Sequence, residues 1–254
     1  MLSGVSEARY KPPAAGAWYD PGNWSPSTKV SPLPHSDQVP CQHDRAVFPP
    51  GMTYKVSVEE SEVTLSQVSI NNKLLDSVAT RAFLRTEVGR AMFNVTRRVR
   101  VTGDHCRDRR GCTCGTRHLE QTICGHVTRA GCPDTTCRSP LRPAGHCCYN
   151  YCGAVINVQS RGIVMGMLEH LAEVHSSGQL VQSYVRRLDT NHHQILLVPD
   201  IKGNLTNTHA AAAKIQDFLL VELGSSAVIW TEYSGASPPP GVIGQWIWSV
   251  EIFS

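Results

Sequence analysis

The sequence predicts a β-rich chain built from several domains, and three regional patterns lead to this prediction. Short apolar segments with a period-2 alternation recur between residues 44 and 104, as in half-buried strands. Nine of the ten cysteines lie between Cys106 and Cys152. Residues 153–231 combine strand-like and helix-like periodicities. We therefore expect a strand-rich region, a disulfide-rich module and an α+β domain, in that order.

The strand-rich region is predicted to span residues 41–105 and to coil in short rungs. Apolar segments of two to five residues alternate there with polar or turn residues, which is typical of a short-rung β-solenoid. A β-sandwich is the alternative, because period-2 alternation does not distinguish the two. The segments are 47–48, 54–58, 63–65 and 68–70, with weaker ones at 82–84 and 99–101.

Residues 1–40 are rich in proline and are predicted to form a Trp/Pro-rich cap. Trp18 and Trp24 flank an Asp-Pro-Gly turn signal at residues 20–22. We expect the two indole rings to fold back onto an apolar surface and to close one end of the strand-rich region.

The module at residues 106–152 has few apolar side chains, so covalent bonds must replace a core. Its nine cysteines cannot all pair with one another, and Cys41 is the remaining cysteine. If none is free, Cys41 bridges into the module across at least 65 residues, which contributes roughly 4 kcal/mol on the chain-entropy model. The predicted disulfide cysteines are Cys41, Cys106, Cys112, Cys114, Cys124, Cys132, Cys137, Cys147, Cys148 and Cys152.

A zinc site is the alternative use of these cysteines. Cys112 and Cys114 with His118, or Cys41 with His43, are possible ligands. Paired Cys-x-x-Cys motifs are absent from the sequence, and the adjacent cysteines at 147–148 suit disulfides better. We therefore expect neither a metal nor a cofactor.

The α+β domain is predicted at residues 153–232, followed by a linker and tail at 233–254. Strands are expected near 154–158, 181–188, 194–198 and 227–230, and helices near 164–174 and 211–223. Thr206 or Thr208 is expected to cap the second helix and Gly224 to end it. The order strand-helix-strand-strand-helix-strand is that of a ferredoxin-like (βαββαβ) domain.

Charge and motif content argue against nucleic-acid binding and catalysis. The net charge of +3 is too small for a nucleic-acid partner. An arginine-rich run is either a polyanion-binding patch or a solvated face: Arg97, Arg98, Arg100, Arg107, Arg109 and Arg110. The sequence contains no His-Glu-x-x-His, Gly-x-Ser-x-Gly or phosphate-binding glycine motif. His192 and His193 lie at a predicted turn, where we expect solvent exposure.

Three glycosylation sequons accompany the cysteines, at Asn23, Asn94 and Asn204. Both features favour an oxidising, extracellular compartment. Residues 1–20 have no apolar run of the signal-peptide kind, and no apolar stretch is long enough for a membrane helix. We therefore expect the chain to be a piece of a longer secreted or membrane-anchored protein.

Two family resemblances refine this expectation. The Cys-Thr-Cys motif at 112–114, followed by Cys147-Cys148 and Cys152, resembles a von Willebrand factor type C module, with one extra residue before the last cysteine. The Trp-Tyr-Asp-Pro-Gly-Asn-Trp segment at 18–24, followed by Cys41 and this cysteine order, resembles the amnionless family over roughly residues 15–231.

The amnionless resemblance implies a non-enzymatic receptor subunit that binds cubilin. Such a subunit acts at the extracellular face of the apical plasma membrane and in endosomes, in uptake of intrinsic factor–cobalamin and other proteins. Solenoid edges suit strand addition by a partner, and we expect this at Tyr54, Val56, Val58, Val68 and Ile70. The alternative is a secreted trap for BMP-type growth factors of the chordin class.

Overall fold

The computed structural model describes residues 6–11, 15–26, 32–51, 55–58, 62–114, 116–135 and 137–235. In these ranges the strands are β1 (Glu7–Tyr10), β2 (Ala15–Ala17), β3 (Trp24–Pro26), β4 (Arg45–Phe48), β5 (Lys55–Val58), β6 (Val63–Leu65), β7 (Gln67–Ile70), β8 (Lys73–Leu75), β9 (Phe93–Val95), β10 (Val99–Val101), β11 (Ala154–Ser160), β12 (Val181–Arg187), β13 (His192–Pro199) and β14 (Ala227–Tyr233). The helices are α1 (His35–Gln38), α2 (Ser77–Arg85), α3 (Glu87–Met92), α4 (Arg117–Ala130), α5 (Met165–Ser176) and α6 (Leu205–Leu223).

The amino-terminal strands form three ladders of parallel pairs. One sheet has the order β3-β1-β4-β7-β8, in which β1, β4 and β7 are parallel and the outer strands are antiparallel. The second sheet has the order β2-β5-β9, and the third pairs β6 with β10. Strands from residues 7–26 thus belong to the same sheets as those from residues 45–70. The segment predicted as a separate cap supplies strands of its own.

Side-chain alternation explains why these short segments form strands. In β5, Val56 and Val58 are buried, whereas Lys55 is exposed and Ser57 is half-buried. The strand β6 repeats the pattern, with Val63 and Leu65 at no more than 2% exposure. Strands β5 and β6 therefore each contribute two apolar side chains to one shared core.

Aromatic rings form the centre of that core, and Phe48 contacts four of them. The ring of Phe48 lies 5.0 Å from that of Phe93, 5.4 Å from Tyr10, 5.8 Å from Trp24 and 6.1 Å from Trp18. Trp24 Nε1 donates to the carbonyl oxygen of Trp18 at 2.7 Å, so this polar atom is satisfied inside the core. Both tryptophans fold inward, as the sequence predicts.

Residues 82–84 lie in helix α2, and the weak rung predicted there is wrong. Asp76 caps the helix, since its side chain accepts the N–H of Ala79 at 2.7 Å. Thr86 ends α2 and caps α3, accepting the N–H of Gly89 at 3.0 Å. Asx and threonine caps set helix boundaries that a short apolar triplet does not override.

The cysteine module contains helix α4. Thr116 caps this helix through the N–H of Leu119, and Gly131 ends it with φ of 94°. Ile123 from α4 is 4% exposed and joins the aromatic core, together with Cys147 and Cys148. The module therefore packs onto the amino-terminal sheets through one helix and its disulfides.

The carboxyl-terminal elements follow the predicted order strand-helix-strand-strand-helix-strand. Their antiparallel sheet has the strand order β12-β13-β11-β14, and α5 and α6 pack on it. The cap of α6 is Asn204, whose Oδ1 accepts the N–H of Asn207 at 2.8 Å, and not Thr206 or Thr208. Gly224 ends α6 with φ of 53°. None of the helices described has the length and apolar character to cross a bilayer.

The core of this domain lies between the sheet and its two helices. Side chains from both helices and from the central strands are fully buried there, including Ile156, Leu168, Ile195, Ile215 and Leu219. Tyr151 of the cysteine module covers part of the other face of the sheet, where it packs with Val155 and Leu196. The sheet is thus buried on one face by its own helices and partly on the other by the module.

The substitution Phe48→Ala should lower the free energy of unfolding by about 3 to 5 kcal/mol, because it leaves a cavity among four rings. Urea denaturation measures the loss. The control Val78→Ala removes methyl groups from a side chain that is 67% exposed, and should change stability by less than about 0.5 kcal/mol. Equal losses in the two variants would contradict the placement of Phe48 at the centre of the core.

Candidate functional site: sheet edges and a disulfide-linked junction

The residues predicted to bind a partner are core residues. Val56, Val58, Val68 and Ile70 are at most 5% exposed, and Tyr54 lies outside the described residues. Their strands are interior as well, because β5 lies between β2 and β9, and β7 lies between β4 and β8. This corrects the predicted docking surface: alternation marks buried side chains but does not separate an edge strand from an interior one.

Within the described part of the chain, β10 is the last strand of its ladder and pairs only with β6. The N–H of Val63 donates to the carbonyl oxygen of Arg98, and that of Thr102 donates to Leu65, both at 2.9 Å. Successive residues of a strand point their backbone groups to opposite sides. The N–H and C=O of Val99 therefore face away from β6.

Strand β9 ends the neighbouring ladder in the same way and pairs only with β5 among the described strands. The N–H of Thr96 donates to the carbonyl oxygen of Val58 at 3.2 Å. By the same alternation, the backbone N–H of Val95 points outward. The unpaired edges of β9 and β10 thus lie at the same end of two neighbouring ladders.

The opposite end of the ladders is covered. Helices α1 and α4 both pack on the 3₁₀ turn at Pro21–Asn23, and α1 also packs on β3. Because α4 belongs to the cysteine module, the module closes the amino-terminal end. At the other end, α3 packs on β9 and α2 packs on β10, but no further described strand pairs with either of them.

Five disulfides crosslink this part of the described chain. The pairs are Cys41–Cys114, Cys106–Cys112, Cys124–Cys147, Cys132–Cys148 and Cys137–Cys152. The first of them spans 73 residues and joins the strand-rich region to the module. It supplies the outward bridge that an odd number of module cysteines requires.

The zinc alternative can be compared with the geometry around this bridge. Sulfur atoms of Cys41 and Cys114 and a carboxylate oxygen of Asp44 lie within 4.8 Å of one another. Both sulfurs are bonded to each other, so neither offers a thiolate. Asp44 instead accepts the backbone N–H of Cys41 at 2.8 Å and the hydroxyl of Ser6. Burial raises the pKa of Asp44. The cluster is a crosslinked turn.

Arg186 connects the carboxyl-terminal sheet to the other two regions. Its guanidinium lies 3.2 Å from the carboxylate of Asp37 and donates to the carbonyl oxygen of Ala144 at 2.6 Å. The hydroxyl of Tyr184 donates to the same carboxylate at 3.0 Å. The side chains of Arg186 and Asp37 are only 11% and 9% exposed. A buried pair of this kind is strongly destabilising to break, because one charge is left uncompensated.

Arg187 makes a second connection, to the loop closed by the disulfide between residues 106 and 112. It donates to Asp108 at 2.8 Å and to the carbonyl oxygen of Gly111 at 2.7 Å. The Arg110 and Arg187 guanidinium groups hold the pKa of Asp108 below its usual range. The expected exposure of His193 is wrong, since it is 1% exposed and its ring lies 2.7 Å from the Arg110 carbonyl oxygen.

A cavity of about 280 Å³ lies where these three regions meet. Tyr19, Cys41 and Arg117 line it, together with Arg186 and Arg187. Both of the last two already bind carboxylates. The cavity is thus a gap within a salt-bridged junction.

Two histidines also pack at this junction. The ring of His146 lies 5.4 Å from that of His35 and 5.2 Å from that of Tyr151. His35 Nδ1 accepts the backbone N–H of Cys147 at 3.2 Å, which requires a neutral ring. Burial, the neighbouring His35 and the nearby Arg186 lower the pKa of His146 to about 4, and a hydrogen bond with the Pro32 backbone opposes this. Burial also lowers the pKa of His35.

The three sequons differ in their surroundings. Asn94 and Asn204 are exposed. The Oδ1 atom of Asn204 accepts the N–H of Asn207 and so caps helix α6. Asn23 Nδ2 donates to the carbonyl oxygen of Ala17 at 3.0 Å. A Cβ at Gly16 would lie 2.2 Å from that nitrogen, so the amide is packed against the backbone.

These features define a disulfide-stabilised, β-rich modular protein. Comparison with known families is consistent with that class. The amnionless family model matches residues 3–227, so the chain belongs to the amnionless family.

Named relatives show the same relationship. The chain is 31% identical over 166 residues to protein amnionless of Sus scrofa, covering 61% of this chain and 31% of that protein. It is 30% identical over 161 residues to the Canis lupus familiaris protein, covering 59% and 34%. The Drosophila melanogaster protein is 24% identical over 175 residues, covering 66% and 34%. The chain spans about a third of the length of these relatives.

Stability should fall as the pH drops from 7 to 5, because the two junction histidines are held neutral in the folded state. A histidine whose pKa is lowered by folding stabilises fully above its unfolded pKa of 6.5, and this contribution is lost as the pH falls toward 4. For His146 the loss by pH 5 is about 2 kcal/mol. Urea denaturation at pH 7 and pH 5 measures it.

The variant His146→Phe keeps a ring at the junction and removes this titration, so its pH dependence should shrink. The matched control His170→Phe changes an exposed histidine on α5 and should leave the pH dependence as in the parent chain. An unchanged pH profile in His146→Phe would show that the junction histidines do not control acid stability.

Proposed function

We propose that this chain is a non-enzymatic ectodomain portion of an endocytic receptor complex that binds cubilin. In this role it supports surface delivery of cubilin and uptake of intrinsic factor–cobalamin and other proteins. Its place is the extracellular face of the apical plasma membrane and of endosomes. The observation that carries the proposal is the family match over residues 3–227. It favours the receptor subunit over the growth-factor trap.

We interpret the architecture in the same terms. The three parallel ladders support a short-rung β-solenoid, since successive strands along the chain pass from one ladder to the next. The order β12-β13-β11-β14, with both helices on one face, supports a ferredoxin-like domain at residues 153–232. The disulfides at 106–152 support a von Willebrand factor type C-like module.

Cubilin docking is proposed at the edges of β9 and β10. Outward-facing backbone groups on two neighbouring strands are a ready template for an added rung. The covered end of the ladders is closed by α1 and α4. Strand addition at the β9–β10 end therefore requires no displacement of the cysteine module.

The double variant Val95→Pro/Val99→Pro should abolish co-precipitation of an amino-terminal cubilin fragment. Proline removes the outward N–H of each edge and leaves the inward backbone bonds to β5 and β6 in place. Val95→Pro also removes the Asn94 sequon, whose middle residue must not be proline. The matched control is therefore Asn94→Gln/Val95→Thr/Val99→Thr, which lacks the same sequon but keeps both N–H groups and a similar volume, so it should bind as the parent chain does.

Circular dichroism and the thermal midpoint report whether each variant is folded. A folded proline variant that still precipitates cubilin would place the docking surface elsewhere. Absence of binding by the parent chain itself would overturn the cubilin proposal.

We also propose that Asn94 and Asn204 carry N-glycans and that Asn23 does not. In protein secreted from mammalian cells, Asn94→Gln and Thr206→Ala should each remove one glycan, seen as a shift in mobility that disappears after peptide N-glycosidase treatment. Thr206→Ala is preferred because it leaves the Asn204 cap intact. Asn23→Gln is the control and should not shift, since the Asn23 amide is bonded to Ala17. A glycan on Asn23 would contradict this assignment.

A further inference from the structure

We propose that the segment that adds to the β9 and β10 edges is acidic and is recognised by a basic face beside them. This inference rests on the proposed function and specifies the chemistry of the partner at the same site. The basic face consists of Lys73, Arg81, Arg85, Arg90, Arg98 and Arg100.

Charge is distributed unevenly along the chain. Residues 73–101, which include α2, α3, β9 and β10, contain seven basic and two acidic side chains, a net charge of +5. The whole chain has a net charge of +3, so the remaining residues sum to −2. The segment that contains the two edges is therefore the basic part of an otherwise slightly acidic protein.

Helices α2 and α3 bring these charges next to the edges of β9 and β10. Helix α2 packs on β10 and on α3, and α3 packs on β9. The inner side of α2 is formed by Thr80, Phe83 and Leu84, and its outer side presents Arg81 and Arg85. Every residue of the basic face is exposed. Arg98 and Arg100 of the arginine-rich run noted in the sequence are thus joined by further arginines from α2 and α3.

Few carboxylates neutralise this face. Among the described residues, one ion pair involves it, Arg100 with Glu62 at 3.7 Å, and both side chains of that pair are about half exposed. Arg81 donates to the carbonyl oxygen of Ser77 at 3.1 Å, and Arg90 donates to that of Arg85 at 2.6 Å. These bonds to backbone oxygens orient the guanidinium groups and leave their positive charge uncompensated.

Keeping like charges together is unfavourable for the free chain. Arg81 and Arg85 are four residues apart on one helix, a spacing at which two cations repel each other and destabilise the helix. An acidic partner segment relieves this repulsion and replaces it with attraction across the interface. The two effects act in the same direction and favour the bound state.

Apolar side chains within the face identify the ligand as a polypeptide. Leu74, Val78 and Val88 are 53%, 67% and 59% exposed and lie among the arginines on β8, α2 and α3. A sulfated glycan has no apolar groups to bury against them. An extended segment that alternates carboxylates with apolar residues complements both the charges and these three side chains.

The test measures binding of the amino-terminal cubilin fragment to the full chain at two salt concentrations. Affinity should weaken at least about tenfold between about 0.15 M and about 1 M NaCl, where the Debye length falls from about 8 Å to about 3 Å. The variant Arg81→Glu/Arg85→Glu/Arg98→Glu should weaken binding at least about tenfold at the lower salt and remove most of the salt dependence.

The matched control is Arg129→Glu/Arg138→Glu/Arg161→Glu, which changes the net charge equally at exposed positions outside the face. It should bind within about twofold of the parent chain, because exposed charges beyond a Debye length are screened. Thermal midpoints of both variants report folding. Binding by the folded face variant equal to that of the control would overturn the inference, while loss of binding in the proline variant would leave the docking proposal standing.

A second measurement applies whether or not cubilin binds. Fluorescent peptides that alternate Glu with Val, or Lys with Val, and heparin are titrated into the parent chain and the face variant. The inference expects the Glu-Val peptide to bind the parent chain and not the face variant. Binding of heparin without the Glu-Val peptide would assign the face to a sulfated glycan and overturn the inference. Binding of neither would overturn it as well.

Discussion

The crosslink between residues 41 and 114 is the constraint on which the arrangement of the three regions depends. The cysteine module has one buried apolar residue on its helix, Ile123, so packing alone cannot hold it against its neighbours. The crosslink fixes its amino-terminal part to the segment that precedes β4, 73 residues away. Arg186 and Arg187 then have fixed carboxylates to bind. A salt bridge between mobile domains gains little, whereas one across a crosslinked junction loses little side-chain and domain entropy.

The same constraint explains which end of the ladders is closed. Helix α4 follows Cys114 directly in the chain, so anchoring this cysteine at residue 41 places the helix over the turn at Pro21–Asn23. The segment that contains α2 and α3 lies at the opposite end of the ladders, where the two helices pack beside β9 and β10. One end is therefore sealed by covalent chemistry, and the other keeps two strand edges in a fixed geometry.

Sequence reasoning succeeded where a pattern has a local physical cause. The alternation of polar residues with Val56 and Val58 and the helical spacing around Leu168 both follow from neighbouring residues. The bridge from Cys41 follows from the odd number of cysteines in the module. It failed where the outcome depends on distant contacts. The segment 82–84 is as apolar as a strand, yet Asp76 caps a helix there. His193 follows a turn signal, but a loop 83 residues earlier covers it.

The partner site shows this limit most clearly. Period-2 alternation identifies strands whose apolar side chains are buried. Here those strands are also paired with a neighbour on both edges, which leaves no backbone groups for a partner strand. Docking requires a strand that is last in its ladder, which is a property of topology and not of composition. Charge is the sequence feature that can indicate an edge strand, because charged side chains beside an unpaired edge discourage indiscriminate pairing with other strands. In the proposed docking, rigid edges lose little entropy when a strand adds, and the flanking arginines favour a strand that carries complementary carboxylates. Under this proposal the rigidity of the edges contributes affinity, and their charge contributes selectivity for the partner.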